Sequence, residues 1–220
     1  MPISIEQIIE QVKINNPDAD TDMLKLAYEF AEKAHEGQKR KTGEPYIQHC
    51  LQVALTLAQI RAEIDVIIAG LLHDVPEDTN KTLNDIEKNF GKKIAFLVEG
   101  ITKIGTIKYR GVERYVENLK KMFIAMASDI RVVIIKFADR LHNLETLEAL
   151  PENKRMRIAR ETMEIYVPIA ALLGIWRFKH TMEDLCFQYL YPEEYKKLQY
   201  KYGIEQNIEN KRYIEKTKIF

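Results

Sequence analysis

Hydrophobic positions along the chain recur mostly at helical spacing. Residues 5–14 predict a short first helix, broken by the Asn15-Asn16-Pro17-Asp18 stretch. Met23, Ala27, Phe30, Ala31 and Ala34 mark a second helix, capped by Asp20, Thr21 or Asp22 and stopped by Gly37. A helix over 47–60 carries His49 in its first turn. The next, about 65–73, is apolar around most of its circumference, so it reads as a buried helix rather than a surface one. Pro76 lacks a backbone donor and disfavours helical geometry at Val75, so this helix should end beside His73 and Asp74.

Thr82 and Asp85 predict a capped start to a short helix ending at Phe90-Gly91, followed by further helical turns over 92–100. Residues 102–111 read as a mobile loop. Val116, Leu119, Met122, Phe123 and Met126 define an amphipathic helix. Residues 130–137 are ambiguous: the Val-Val-Ile-Ile run is β-branched, yet it passes without a turn signal into good helix material, which favours helix. That helix should end at Pro151. The following one, 152–173, should be kinked or divided at Pro168. Met182, Leu185, Cys186, Tyr189 and Leu190 mark another helix, and Tyr191-Pro192 starts a last polar one. The pattern gives an all-α bundle of roughly ten helices.

Composition narrows the class without naming a function. Lys+Arg and Asp+Glu both number 33, which gives no sign of bulk nucleic-acid or membrane affinity. Two cysteines, Cys50 and Cys186, exclude a disulfide framework and a cysteine-rich zinc module, and they suit a reducing, cytoplasmic setting. No apolar run approaches the ~18 residues of a membrane span, and the N-terminus lacks the pattern of a secretory signal.

Four ionisable groups, His73, Asp74, Glu77 and Asp78, crowd the end of the buried helix. Imidazole nitrogen and carboxylate oxygen together suit a divalent first-row ion, but an adjacent His-Asp pair needs partners from elsewhere. His49, near a helix start, and Asp139, closing the most apolar helical run, are the candidates. Each has a plainer reading: His49 as a cap, Asp139 as the partner of Arg140 or Lys136. Asp139, Asn143 and Thr146 stand at i, i+4 and i+7, with His142 at i+3, so one helix face carries a polar stripe. His35, His142 and His180 read as structural.

His49, His73-Asp74 and Asp139 resemble the metal-binding signature of the HD-domain phosphohydrolases. The segments 37–49, 71–79, 129–143 and 183–190 resemble the hydrolase domain of the RelA/SpoT-type alarmone enzymes, over residues 22–200 and in the same order. This favours helix at 130–137 and implies an HD domain over 1–195 with a polar C-terminal helical tail, 196–220. It implies manganese-dependent hydrolysis of the 3′-pyrophosphate of guanosine tetra- and pentaphosphate, with one Mn2+ held by His49, His73, Asp74 and Asp139. Glu77 and Asp78 carry over as the acidic pair that handles the attacking water. Arg40 and Lys41 would sit against the guanine ring, and Thr42, Asn143 and Thr146 would bond the base and ribose. Tyr46 and Lys136 are further pocket candidates. A homodimer is also implied. The synthetase domain of longer members is missing, so the chain is either a stand-alone small hydrolase or a piece of a longer enzyme; the stand-alone form is the expectation, because the chain begins at Met1 and closes without a truncated motif. Pro76, Cys50, Glu145 and Leu173 depart from the family's usual residues, and the lost cations bear on substrate preference. The rival readings are an NADPH 2′-phosphatase of the same fold and a non-catalytic nucleotide-binding module.

Overall fold

The computed structural model describes residues 2–105 and 112–202. Among these residues the chain is all α, with no β-strand beyond one isolated bridge between Lys39 and Pro45. The helices are α1 (Ile5–Asn15), α2 (Asp22–Ala34), α3 (Ile47–Gln59), α4 (Ile64–Leu72), α5 (Val75–Asp78), α6 (Leu83–Gly105), α7 (Val112–Ser128), α8 (Ile130–Glu145), α9 (Glu152–Glu161), α10 (Val167–Leu172), α11 (Trp176–Leu190) and α12 (Pro192–Tyr202). Helix α12 runs through the predicted 195/196 boundary and packs on α11; the tail from residue 203 lies outside the described residues.

Helix α4 is the centre of the packing, with α2, α3, α6 and α8 around it. Every residue from Val66 to Leu72 is buried, as its all-round apolar surface demands. Burying one such Leu or Ile side chain is worth roughly 1.5–3 kcal/mol. Gly70 permits the closest approach: a Cβ there would lie 2.5 Å from Leu57 Cδ1 of α3. A larger residue at 70 would have to displace the buried Leu57 side chain from between the two helices.

Several boundaries differ from the pattern-based expectation, each for a local reason. Pro76 does not force Val75 out of helical geometry. It lies in the first turn of α5, where its missing N–H costs nothing, and that turn carries Glu77 and Asp78. Helix α6 breaks at Gly91 (φ 85°), as predicted, then continues through Thr102 to Gly105, where the pattern predicts a loop; residues 106–111 lie outside the described residues. Residues 130–137 are helical. Helix α8 stops at Glu145, short of Pro151, with a 3-10 turn (Leu147–Ala149) between them. The helix expected over 152–173 is divided by a π-helical turn, Thr162–Tyr166, directly before α10. Pro168 offers no N–H to the carbonyl of Glu164, so the chain widens its helix there.

Candidate metal and hydrolase site

The site lies where α3, α4, α5 and α8 meet the loop over 38–46. His49 sits in the first turn of α3, His73 at the C-cap of α4, Asp74 just before α5, and Asp139 on α8. The histidines and Asp139 are buried, at 1%, 0% and 6% exposure. His49 Nε2 is 3.4 Å from both Asp74 Oδ2 and Asp139 Oδ1; His73 Nε2 is 3.1 Å from Asp74 Oδ2 and 3.8 Å from Asp139 Oδ1. His49, His73 and Asp74 form the tightest group, with donor atoms all within 4.8 Å of one another. Asp139 approaches both imidazoles and is not part of that triplet.

These residues fit a divalent ion on grounds internal to the structure. His73 Nδ1 donates to the Gly70 carbonyl at 2.8 Å, so Nε2 is the nitrogen turned to the cluster. That Nε2 is fully buried and, with Asp74 Oδ2 3.1 Å away, makes no well-aligned hydrogen bond, which leaves it poorly satisfied unless a cation meets it there. His49 Nδ1 is engaged by His142 Nδ1 at 2.6 Å, so its Nε2 also faces the cluster. Two nitrogens and two carboxylates suit a first-row divalent ion, and donor atoms sharing an ion at about 2.0–2.2 Å each have separations of this order.

Burial lowers the basicity of His73, but Asp74 and Asp139 outweigh it and raise its pKa to about 9, so without an ion the ring carries a proton on Nε2 and a metal ion would take that proton's place. Burial disfavours charge on Asp74 and Asp139; Asp74 is nonetheless held well below the usual carboxylate range by the imidazoles, and Asp139 by Lys136 first and the imidazoles next. The two acids therefore stay ionised inside the protein, balanced by Lys136 and by the His73 proton that a metal ion would replace. Asp139 is fixed by Lys136 Nζ on Oδ2 (2.7 Å) and Asn143 Nδ2 on Oδ1 (2.5 Å). Burial, and then His49, push His142 down to about 3, so it is neutral.

The remaining predicted residues divide into two groups. Arg40, Tyr46, Asn143, Glu77 and Asp78 are drawn around the cluster. Arg40 Nη2 donates to Asn143 Oδ1 at 2.6 Å, and its guanidinium lies 5.7 Å from the Tyr46 ring centre. The Tyr46 hydroxyl stands 2.8 Å from Asp74 Oδ2 and 2.7 Å from Asp78 Oδ2, so one phenolic proton serves two carboxylates. The Glu77 carboxyl is held above its usual range, first by loss of solvent and then by Asp74 and Asp78, with Lys136 opposing. Lys41 and Thr42 stand apart: both are exposed at the loop tip, and the Thr42 hydroxyl donates to Glu44 at 3.5 Å. The Thr146 hydroxyl donates to the His142 carbonyl at 3.0 Å and so closes the end of α8.

Sequence reasoning passed over Gln38, which ties the loop to α5. It donates to the Asp78 carbonyl at 2.8 Å and takes a hydrogen bond from His35 Nδ1 at 2.8 Å. It also passed over His142, whose i+3 position from Asp139 was the available signal. An apolar groove of about 830 Å³ between α1 and α2, lined by Ile9, Ile14 and Tyr28, holds no part of this cluster.

An all-α bundle that gathers two histidines and two aspartates in this way is the architecture of an HD-type metal-dependent hydrolase. The HD domain family model matches residues 27–176, and the chain belongs to that family. It is also homologous to the SpoT/RelA-type enzymes. A guanosine-3′,5′-bis(diphosphate) 3′-pyrophosphohydrolase of Aquifex aeolicus is 49% identical over 196 residues, 89% of this chain and 28% of the relative. The bifunctional (p)ppGpp synthase/hydrolase SpoT of Escherichia coli K12 is 47% identical over 192 residues, 87% of this chain and 27% of the relative. The chain thus spans little more than a quarter of these relatives. A solved structure of a metazoan SpoT orthologue, described as hydrolysing ppGpp and acting in starvation responses, matches with a TM-score of 0.64 at 25% identity, covering 77% of this chain and 96% of that one. No helix among the described residues is long and apolar enough to cross a membrane.

Proposed function

We propose that this chain hydrolyses the 3′-pyrophosphate of guanosine tetra- and pentaphosphate, releasing pyrophosphate with GDP or GTP, and so tunes a starvation (stringent) response. The observation that carries the reading is the buried convergence of His73 Nε2 and His49 Nε2 on Asp74 and Asp139, in a chain homologous to enzymes named for this reaction. His49, His73, Asp74 and Asp139 would hold one divalent ion, with manganese as the expected metal. Such an ion supplies Lewis-acid polarisation of the phosphoryl group and a more acidic water.

The protein's own groups do the rest. Glu77, with its carboxyl raised toward neutral pH, takes a proton from the attacking water. Asp78, anchored through Tyr46 and through Gln38 on its backbone carbonyl, orients that water. Water adds to the phosphorus joined to the 3′ oxygen, the P–O3′ bond breaks, and the 3′ oxygen leaves with the proton that the acidic pair took from the water. Arg40 is held flat by Asn143 and Tyr46 and offers its free face to the guanine ring. Lys41, Thr42 and Thr146 complete the base and ribose contacts once the loop over 38–46 closes on substrate. A homodimer and a cytoplasmic setting belong to the same reading.

The test is pyrophosphate release from guanosine tetraphosphate beside phosphate release from NADPH, each with manganese, magnesium or no metal. Manganese-dependent pyrophosphate release supports the proposal. Phosphate release from NADPH alone would move the chain to a different substrate, and alarmone binding without turnover under any metal would make it a nucleotide-binding module.

A further inference from the structure

His142 lies on α8 one turn beyond Asp139 and is 9% exposed; its carbonyl accepts from Thr146, and its imidazole turns toward His49. Its ring lies edge to edge with that of His49, with centroids 4.9 Å apart, planes 22° from parallel and the two Nδ1 atoms 2.6 Å apart between them. Two nitrogens at that distance share one proton, and its position decides what His49 can do. If His49 Nδ1 carries it, the Nε2 lone pair faces Asp74 and Asp139 and is free for a cation. If His142 Nδ1 carries it, His49 keeps its own proton on Nε2, pointing into the cluster, and the site is blocked.

We propose that His142 is a positioning residue that sets the His49 tautomer, accepting the Nδ1 proton of His49 and carrying its own on Nε2, so that His49 is ready to bind metal. The inference rests on the metal-site reading above but not on the identity of the substrate. The same logic operates at His73 with a different acceptor, since the Gly70 carbonyl can only accept and fixes the Nδ1-protonated form without ambiguity. At His49 the acceptor is a side chain that could hold the proton either way, so burial of His142 among other groups has to select the form. Partners of this kind behind a metal-bound histidine are worth about 10- to 100-fold in metal affinity.

The experiment uses the full chain stripped of metal. Manganese affinity is measured by titration calorimetry for the wild type, His142→Phe and His142→Asn. Phe keeps an aromatic ring in the same buried place but accepts no hydrogen bond, whereas Asn places an acceptor oxygen near the position of Nδ1. The expected result is a loss of about 10- to 100-fold for His142→Phe, and affinity within about 3-fold of wild type for His142→Asn. Equal loss in both variants, or none in His142→Phe, overturns the inference and leaves the hydrolase reading intact. Because a variant could fail through misfolding, the zinc-loaded wild type is also examined by imidazole ¹⁵N NMR. His142 protonated on Nε2 and His49 on Nδ1 supports the proposal; a proton on His142 Nδ1 overturns it. A wild type that binds neither metal overturns both readings, whereas manganese binding without alarmone hydrolysis removes only the substrate assignment.

Discussion

Helix α8 joins two charged clusters built from similar residues. At its N-terminal end, Asp129 and Arg131 meet Glu63, Asp65 and Lys93, with Lys93 Nζ 2.5 Å from Asp65 and Arg131 Nη2 2.6 Å from Asp129. Further along, Lys136 and Asp139 meet His49, His73 and Asp74, with Lys136 Nζ 2.7 Å from Asp139. The distances are alike and the surroundings are not. Lys93 and Glu63 are 56% and 67% exposed, so water and salt screen the first cluster. The second is inside the protein, where bringing charges together costs several kcal/mol per ion before their attraction is counted. A cluster like the first needs no purpose beyond solubility and a little stability. One like the second costs stability unless something binds there, and the poorly satisfied nitrogen of His73 shows where.

The largest test of this contrast removes a carboxylate from the inner cluster. Asp139→Asn should lose manganese binding and alarmone turnover together, each by at least about 100-fold, because the carboxylate and the charge it sets against both imidazoles go at once. Glu77→Gln should keep the metal and lose turnover by about 10²–10⁴-fold, the range of a general acid or base. Metal content and initial rate of both variants separate the roles; equal metal loss in the two would sink them. Next in size is Arg40→Ala, which removes the stacking face and the bond to Asn143. We expect KM to rise about 10-fold with kcat within about 3-fold, as for a contact worth 1–2 kcal/mol. A pure kcat defect would contradict the stacking role.

The sequence made the inner cluster more legible than its surroundings. The apolar run of α4 has to be buried, so ionisable groups at its end could be read as a site before any geometry was known. The i, i+4 stripe placed Asp139 and Asn143 on one face in the same way. What it could not disclose was the direction of bonds that cross between elements. That Tyr46 reaches back to Asp74 and Asp78 depends on a hairpin-like turn from Gln38 to Tyr46, and that His142 meets His49 depends on how α8 crosses α3. Pro76 misled for a related reason: its effect on the preceding residue was weighed without its welcome in a first helical turn. At Pro168 the break was foreseen, but not its form, a wider turn rather than a kink.

A smaller effect belongs to the outer cluster. Asp129 is the N-cap of α8: its Oδ1 accepts from the Arg131 N–H at 2.9 Å, and its carboxylate takes three further bonds from the Arg131 guanidinium. Loss of such a cap costs about 1 kcal/mol, which Asp129→Ala should show in urea denaturation. The Arg131 side chain holds the Asp129 carboxyl below its usual range. A depressed carboxyl contributes stability that is present above its unfolded value, near 3.9, and lost as pH falls through the folded value. The stability difference between wild type and Asp129→Ala should therefore shrink on acidification below about pH 4. A difference that stayed constant into that range would show that the charge has no part in the cap.

The smallest effect expected is that of Lys93→Met. Lys93 bonds Asp65 and lies within 3.7 Å of Glu63, yet its ammonium is open to water on the remaining sides. Holding a long flexible side chain in one position offsets most of what the contact gains, and Arg131 remains 3.3 Å from Glu63 when Lys93 is gone. Lys93→Met should shift the melting temperature less than Asp129→Ala does. Any shift should disappear in 1 M salt, where the screening length falls to about 3 Å. The inner cluster gives the opposite expectation under the same salt: Asp139→Asn should remain devoid of metal and activity, since no counter-ion in solution can take the place of a buried ligand. A large, salt-resistant loss of stability in Lys93→Met would mean that exposure does not separate the two clusters, and the case for reading the inner one as a site would then rest on its donor atoms alone.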